Sequence, residues 1–152
     1  MEYVELHAHT NFSWREGASQ VETLAERAAA IGLPAFALTD YDNLSAAVRY
    51  SQATKKHSLR PIYGSEVTLE DGHHLLLLVQ NQTGWRNLCT LITLAQHAAP
   101  KEEAALPLSA LQGHTEGLIA LSGGRSGAIA DALLHGDRRA ALAIGKRYID
   151  LF

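Results

Sequence analysis

The sequence has little cysteine, no long apolar run and no basic start. Cys89 is the only cysteine among 152 residues, which excludes an internal disulfide and a zinc cluster built from thiolates. Apolar runs such as residues 75–79 are far too short to cross a bilayer. The first residues, MEYVELHAH, carry acidic side chains and histidines where a signal peptide needs positive charge followed by an apolar stretch. These absences predict a cytoplasmic protein with no membrane contact.

An excess of positive charge is also missing. The chain has 13 Lys and Arg against 16 Asp and Glu, a formal charge of −3. Proteins that clamp nucleic acid through their whole surface are basic, so any contact with DNA must be local or supplied by another part of a larger protein. With 47% hydrophobic and 19% charged residues, the composition is that of one globular domain.

Short apolar runs alternate with helical patterns along the chain. This alternation predicts an α/β fold with a mostly parallel sheet, in which a hairpin at Asp71-Gly72 joins the third and fourth strands. A capping box at Ser19 and Glu22 predicts the start of the first helix. The predicted strands are residues 3–7, 35–39, 61–69, 74–79 and 118–122, the predicted helices are 19–32, 44–57, 85–97, 126–134 and 138–151, and 98–106 is a loop.

Eight histidines are present, and several polar residues fall at predicted strand ends, where α/β proteins collect their chemistry. His7 and His9, two apart, can face the same side and hold one ion. Asp40 and Asp42 end the second strand. Glu66 lies within the third strand, and the hairpin brings His74 back beside its end. Imidazole and carboxylate together suit zinc, manganese or iron.

Each of these residues alone also has an ordinary structural explanation. A strand-end Asp such as Asp40 is commonly a turn former or helix cap. Glu66 could be a solvated edge residue, and His74 a polar strand end. The remaining histidines near helix ends or in loops receive no chemical role; they are His57, His97, His114 and His135. Only the coincidence of several such residues at equivalent strand ends favours a metal site.

Four segments in order make the sequence recognisable: HAHTNFSWREGAS, ALTDYDNL, RPIYGSEVTLEDG and HLLLLVQNQTGWRNL. They resemble successive motifs of the PHP (polymerase and histidinol phosphatase) domain. The resemblance is to the version that begins bacterial C-family polymerases, the DNA polymerase III alpha subunits. GSEVTLEDG and NFSWREGAS are most similar to the error-prone branch, and GLIALSGGRSGAIADALLHG also resembles the alpha-subunit pattern. The resemblance covers essentially the whole chain.

The resemblance implies a fold and a chemistry. The family fold is a distorted, seven-stranded (β/α) barrel related to the TIM barrel, and this chain should hold an incomplete part of it. Active members carry three metal ions that hydrolyse phosphoesters by ionising water and neutralising phosphate charge. Residues 1–152 are therefore expected to be the N-terminal part of a PHP domain, without a polymerase palm, from a longer protein or a stand-alone relic.

Site residues follow from the resemblance motif by motif. Asp40 matches the Asp of the family's Thr-Asp-His motif, which mainly shapes the site, and it is the one candidate for a catalytic role. The matched metal ligands are His7, His9, Glu16, Glu66 and His74.

The chain departs from the family pattern at two ligand positions. Tyr41 replaces the His that follows the motif Asp, and a phenol with a pKa near 10 is a poor substitute for neutral imidazole. Gly124 replaces a Cys and has no side chain with which to bind an ion. The family's terminal Asp-x-His motif is also missing; residues 71–73 have its letters but in the predicted hairpin turn. A single divalent metal ion (zinc, manganese or iron) could still bind, but a full three-metal cluster is not expected.

Two functional hypotheses remain open. In the first, the chain is the PHP domain of a polymerase active in DNA replication or translesion repair synthesis. It would serve mainly as a structural or partner-docking module, and one ion could bind to His7, His9 and Glu66. Its partners would be DNA through the parent polymerase, other polymerase domains or replication subunits. In the second hypothesis the domain is an active metal-dependent phosphoesterase or 3′–5′ exonuclease. An unrelated α/β protein is a third reading, which the ordered motifs disfavour.

Overall fold

The computed structural model describes residues 3–98 and 104–152, and within them the fold is mixed α/β with five α-helices and a four-stranded sheet. The strand order is β1-β2-β3-β4. The strands are β1 (Ala35–Leu38), β2 (Arg60–Thr68), β3 (His74–Val79) and β4 (Leu118–Leu121). The helices are α1 (Val21–Ala30), α2 (Ala47–Lys56), α3 (Gln82–Ala98), α4 (Ala128–Leu134) and α5 (Arg138–Leu151), with 3₁₀ turns at Leu108–Leu111 and Gly124–Ser126.

The chain divides into two compact units, one ending at Ser65 and the other beginning at Glu66. The division falls within β2. None of the helices in the described ranges is long and apolar enough to cross a membrane. Most of the predicted loop at 98–106 lies outside the described residues; within the described part, the Leu106 amide donates to the carbonyl of Thr68 over 2.8 Å.

Helices α1 and α2 pack around β1 in the first unit. The β1 strand pairs in parallel with β2, as predicted, with Leu38 opposite Tyr63. Tyr50 of α2 is fully buried. Its hydroxyl donates to the carbonyl of Phe36 and accepts from the amide of Ile62, 3.2 Å away. This one side chain therefore links a helix to two strands, and burial raises the pKa of its phenol.

The predicted strand at residues 3–7 is wrong, although this segment does run beside β1. Glu5 forms an isolated parallel bridge with Phe36. The carbonyl of Glu5 accepts from the Ala37 amide, whereas the next bond runs to the carbonyl of Ala8 from the amide of Thr39, one residue beyond β1. Glu5 and Ala8 are three positions apart but their partners are only two apart, and this mismatch interrupts the ladder. The side chain of Glu5 also accepts from the amide of His7, so that amide is drawn away from strand pairing.

The capping box predicted at Ser19 and Glu22 is wrong as well. Helix α1 begins at Val21, with Gln20 at the N-cap position and no side chain capping it. The carbonyl of Ser19 instead accepts from the amide of Asn11 over 2.9 Å. That bond holds Ser19 in the preceding loop, so the helix starts one residue later than the capping-box spacing predicts.

Strands β3 and β4 of the second unit are antiparallel, with Val79 opposite Leu118, which corrects the prediction of a mostly parallel sheet. The connection between them explains the direction. Leaving β3, helix α3 carries the chain back to the level of Leu106, which bridges Leu69 beside the start of β3. The following segment then returns the chain to the end where β3 stopped. Because the chain runs the length of the sheet twice between β3 and β4, the two strands are antiparallel, whereas a single crossover helix would make them parallel.

The backbone of Gly84, in the first turn of α3, lies against the backbone of Gly117, just before β4. The Asn81 side chain accepts from the amides of Thr83 and Gly84 at 3.0 and 3.1 Å, which satisfies free amides of the first helical turn. A Cβ on Gly84 would lie 1.8 Å from the carbonyl oxygen of Gly117. A Cβ on Gly117 would lie 2.6 Å from the amide nitrogen of Gly84. Only two glycines allow this approach.

Candidate functional site

Asp40 is the buried centre of the polar residues in the first unit. It lies two residues beyond β1 and is 2% exposed. One carboxylate oxygen accepts from the amide of Thr10 and the hydroxyl of Ser13, both over 2.6 Å, and the other accepts from the hydroxyl of Thr10 over 2.7 Å. Three donors therefore fix this carboxylate, which fastens the loop after His9 to the end of β1.

The same junction is tied to β2. The hydroxyl of Ser65 donates to the carbonyl of Asp40 over 2.7 Å, and Ser65 is fully buried. Because β1 and β2 are parallel, their carboxyl ends meet at one edge of the sheet. Polar residues of these two strands meet at Asp40 and Ser65, and Ser65 is a residue that the sequence analysis did not single out. The catalytic role predicted for Asp40 stays a prediction.

His7 and His9 lie side by side next to Tyr41. The two imidazole centroids are 4.9 Å apart with the rings nearly perpendicular. The His9 ring is 4.4 Å from the Tyr41 ring, and the Tyr41 amide donates to the Ser13 hydroxyl over 3.1 Å. The ring at the position of the expected third imidazole is therefore a phenol packed against a histidine.

Glu66 and His74 are paired in the second unit. Glu66 is 1% exposed, and one of its carboxylate oxygens lies 2.8 Å from Nδ1 of His74. The side chain of His74 is about one-fifth exposed. A histidine held in this way fixes the orientation of the buried carboxylate. The predicted proximity of these two residues is present.

A group of His and Glu side chains that could hold a metal ion is present among the described residues; it consists of His7, His9 and Glu66. Its donors, two imidazoles and one carboxylate, are a set that zinc accepts. Two of the five predicted ligands are outside the group. His74 is bonded to Glu66, and Glu16 is exposed in a turn where its amide donates to the carbonyl of Ser13.

Gly124 lies at the position where the family pattern has its Cys, and Gly123 comes directly before it. Both have positive φ, 75° at Gly123 and 57° at Gly124. A Cβ on Gly123 would lie 2.0 Å from the carbonyl oxygen of His74, whereas nothing lies within 4 Å of a Cβ on Gly124. The backbone therefore leaves space for a side chain at Gly124 but holds it in a conformation that most residues avoid.

Asp71, Gly72 and His73, whose residue types match the family's Asp-x-His motif, lie in the turn between β2 and β3, as predicted. Burial lowers the pKa of His73, but the carboxylates of Asp71 and Asp131 outweigh this effect and raise it overall. Its ring nitrogens lie 3.2 Å from Asp71 and 3.5 Å from Asp131. These contacts join the turn to helix α4, which is a structural explanation for a histidine at this position.

Sequence reasoning missed Thr10 and Ser13. Both are buried, at 0% and 1% exposed, and both donate to Asp40. Neither titrates nor binds metals readily, so a search for metal ligands passes over them. The sequence did contain one indication of their role, because small hydroxyl residues follow the His-x-His pair. Residues of this type often fix a loop by hydrogen bonding to nearby polar groups.

Comparison with known proteins decides the family. A profile of the PHP domain matches residues 5–152. The chain belongs to the PHP domain family. It is 42% identical to the error-prone DNA polymerase of Symbiobacterium thermophilum, in an alignment that covers 100% of this chain and 16% of that protein. It is 35% identical to the DNA polymerase III subunit alpha of Vibrio cholerae, over 90% of this chain and 12% of that protein.

This PHP domain is therefore similar to a small part of much larger proteins. An error-prone DNA polymerase of Pseudomonas syringae pv. tomato is 43% identical over 95% of the chain and is matched over 13% of its own length. The chain spans about one-eighth to one-sixth of the length of these curated relatives.

Solved structures show the same fold at lower identity. A protein assigned as a metal-dependent phosphoesterase, from Bifidobacterium adolescentis, superposes with a TM-score of 0.53 at 24% identity, over 64% of this chain and 34% of that one. An amidohydrolase from Chromobacterium violaceum superposes with a TM-score of 0.52 at 23% identity, over 62% and 34%. At these identities the likeness concerns the fold alone.

Proposed function

We propose that this PHP domain serves an error-prone or replicative DNA polymerase mainly as a structural or partner-docking module, with a reduced metal site. The observation that carries the proposal is Tyr41, whose ring packs 4.4 Å from that of His9 at the position of an expected imidazole ligand. The curated relatives are DNA polymerases, which supports a role in DNA replication or translesion synthesis.

Two lost ligands weaken a multinuclear site more than a mononuclear one. Tyr41 and Gly124 replace an imidazole and a thiolate, and each ligand contributes a large share of the affinity for the ion it binds. Asp40, which could compensate, already accepts three hydrogen bonds and is buried away from solvent. A three-metal cluster therefore lacks donors, whereas a single ion needs only three or four.

The residues that would hold a single ion are His7, His9 and Glu66, the group that the donor chemistry fits. A zinc, manganese or iron ion there would supply Lewis acidity and lower the pKa of a bound water. His74 would keep the carboxylate of Glu66 in place. The exposed Glu16 would have to move to join them, since it lies in a turn outside the group.

Metal content tests this proposal. The chain, purified without chelator and analysed by inductively coupled plasma mass spectrometry, should carry about one transition-metal ion per molecule. His9→Ala should lower that content about tenfold or more, as expected when a ligand is lost. His135→Ala is the matched control, since this exposed histidine bonds only within its own helix region. Three ions per molecule, or an unchanged content in His9→Ala, would overturn the proposal.

The alternative, an active phosphoesterase or 3′–5′ exonuclease, is favoured by the same His7, His9 and Glu66 group. It predicts release of nucleotides from a 3′ end in the presence of manganese, with loss of activity in His9→Ala and Glu66→Gln. If the domain is a structural module, the natural chain should release no more nucleotide than these two variants do. A purified chain therefore distinguishes the two functions in one assay.

We also propose that the four strands belong to the distorted seven-stranded barrel of the family. The parallel pairing of β1 and β2 supports this proposal, and so do solved relatives that are matched over only 34% of their length. A crystal structure of a longer polymerase chain tests it: the sheet should continue beyond the segment that bridges β1 at Glu5. A closed four-stranded sheet would contradict it.

A further inference from the structure

Trp14 is the most exposed large apolar side chain among the described residues. Its exposure is 85%, against 65% for Tyr3 and 79% for Ile149. An indole in water forgoes the burial that normally makes tryptophan stabilising. Tryptophan is enriched at interfaces, where a ligand or partner covers the ring. The position of Trp14 in a turn just after the His7 and His9 pair therefore calls for a functional explanation.

The loop that carries Trp14 is firmly built. The Ser13 amide donates to the carbonyl of Thr10, and the Glu16 and Gly17 amides both donate to the carbonyl of Ser13. Gly17 packs so closely that a Cβ there would lie 2.0 Å from the oxygen of Thr10. Since Ser13 and Thr10 are also bonded to buried Asp40, the indole is displayed on a fixed support.

Arg15 stands next to Trp14 and is exposed as well. Its φ is 72°, a left-handed conformation that costs a non-glycine residue energy and is kept only where the surroundings enforce it. The nearby Arg49, by contrast, is engaged with Glu22 at 2.6 Å and with the ring of Phe12. The turn therefore carries an exposed aromatic residue and an exposed cation at consecutive positions, the two residue types that bind a base and its phosphate.

Resting on the proposed role of this domain in a DNA polymerase, we propose that Trp14 stacks on a base of single-stranded DNA while Arg15 binds a neighbouring phosphate. The loop would hold the strand beside Asp40 and the two histidines. The chain's net charge of −3 agrees with a local contact of this kind rather than a broad basic surface. Stacking suits every base, so the contact would select single strands without selecting sequence.

Intrinsic fluorescence tests the inference directly, because the chain has only two tryptophans. Trp85→Phe leaves Trp14 as the sole reporter. Titration of that protein with a 12-nucleotide oligothymidylate should quench its tryptophan emission in a saturable way. In the otherwise natural chain, Trp14→Ala should weaken binding roughly 5- to 150-fold, the range for loss of one stacked base. Trp14→Phe should stay within about threefold of the natural affinity, since phenylalanine also stacks.

Two further comparisons sharpen the result. A 12-nucleotide strand that lacks bases should bind to the natural chain as weakly as the oligothymidylate binds to Trp14→Ala. Arg15→Gln should reduce the slope of log affinity against log salt by about 0.7, the value for one phosphate contact on a single strand. Equal affinity of Trp14→Ala and the natural chain, or no quenching, would overturn the inference.

The same titration in EDTA separates this inference from the metal proposal. Quenching with unchanged affinity in EDTA, in a chain that carries no metal, would support the stacking site and contradict the metal site. A chain that carries metal but shows no quenching would do the reverse.

Discussion

A single buried carboxylate organises the residues around the candidate site. Asp40 could be foreseen as a strand-end polar residue, but its partners could not, because the bonds to Thr10 and Ser13 span about 30 positions of the chain. His7 and His9 could be foreseen as neighbours because alternation by two is a local rule. Long-range hydrogen bonds have no such local signal.

Asp40→Asn should destabilise the fold by about 2–3 kcal/mol, because an amide group would present a donor where Thr10 or Ser13 already donates, leaving buried donors without an acceptor. Urea denaturation followed by circular dichroism measures the change. Asp150→Asn on the exposed side of α5 is the control and should stay within about 0.5 kcal/mol. Equal stability of both variants would contradict the role assigned to Asp40.

Gly123 and Gly124 offer a matched pair with different expected costs. Gly124→Ala should cost about 1–2 kcal/mol, the strain of a left-handed alanine. Gly123→Ala should cost clearly more, since its Cβ would also collide with the carbonyl of His74. Thermal unfolding of both variants gives the ranking. The same strain means that Gly124→Cys, which restores the family residue, should raise metal content only at the expense of stability.

At the scale of elements, the helices were easier to predict than the strand directions. The patterns over residues 44–57 and 138–151 matched α2 and α5 closely, because an amphipathic helix is a local property. The direction of β4 depends on how many times the chain passes between β3 and β4, and the return after Leu106 carries no distinctive periodicity. The segment before His7 alternates like a strand, but an extra residue breaks its pairing with β1.

The hydroxyl of Tyr50 joins α2 to β1 and β2, so its removal tests how these elements hold together. Tyr50→Phe should cost about 1–3 kcal/mol, because the buried carbonyl of Phe36 and amide of Ile62 each lose a partner. Chemical denaturation provides the measurement. Tyr3→Phe, at a ring that is 65% exposed, serves as the control and should change stability by less than about 0.5 kcal/mol.

For the molecule as a whole, a bound ion should appear in the stability curve even without catalysis. A ligand that binds only the folded state at one hundred times its dissociation constant adds about 2.7 kcal/mol to stability. Excess zinc or manganese should therefore raise the melting temperature of the natural chain, and EDTA should reverse the rise. His9→Ala should show neither effect. A rise that persists in His9→Ala would place the ion elsewhere.

The contact between Gly84 and Gly117 has a consequence for the evolution of the family. Each glycine leaves no space for a side chain on the other, since their backbones touch where α3 starts and β4 is entered. Selection would remove a mutation at either position unless the loop and the helix also moved apart. In the PHP domains of polymerases that keep this crossing, the two positions should therefore change as a pair: glycine at both, or a lengthened connection with glycine at neither.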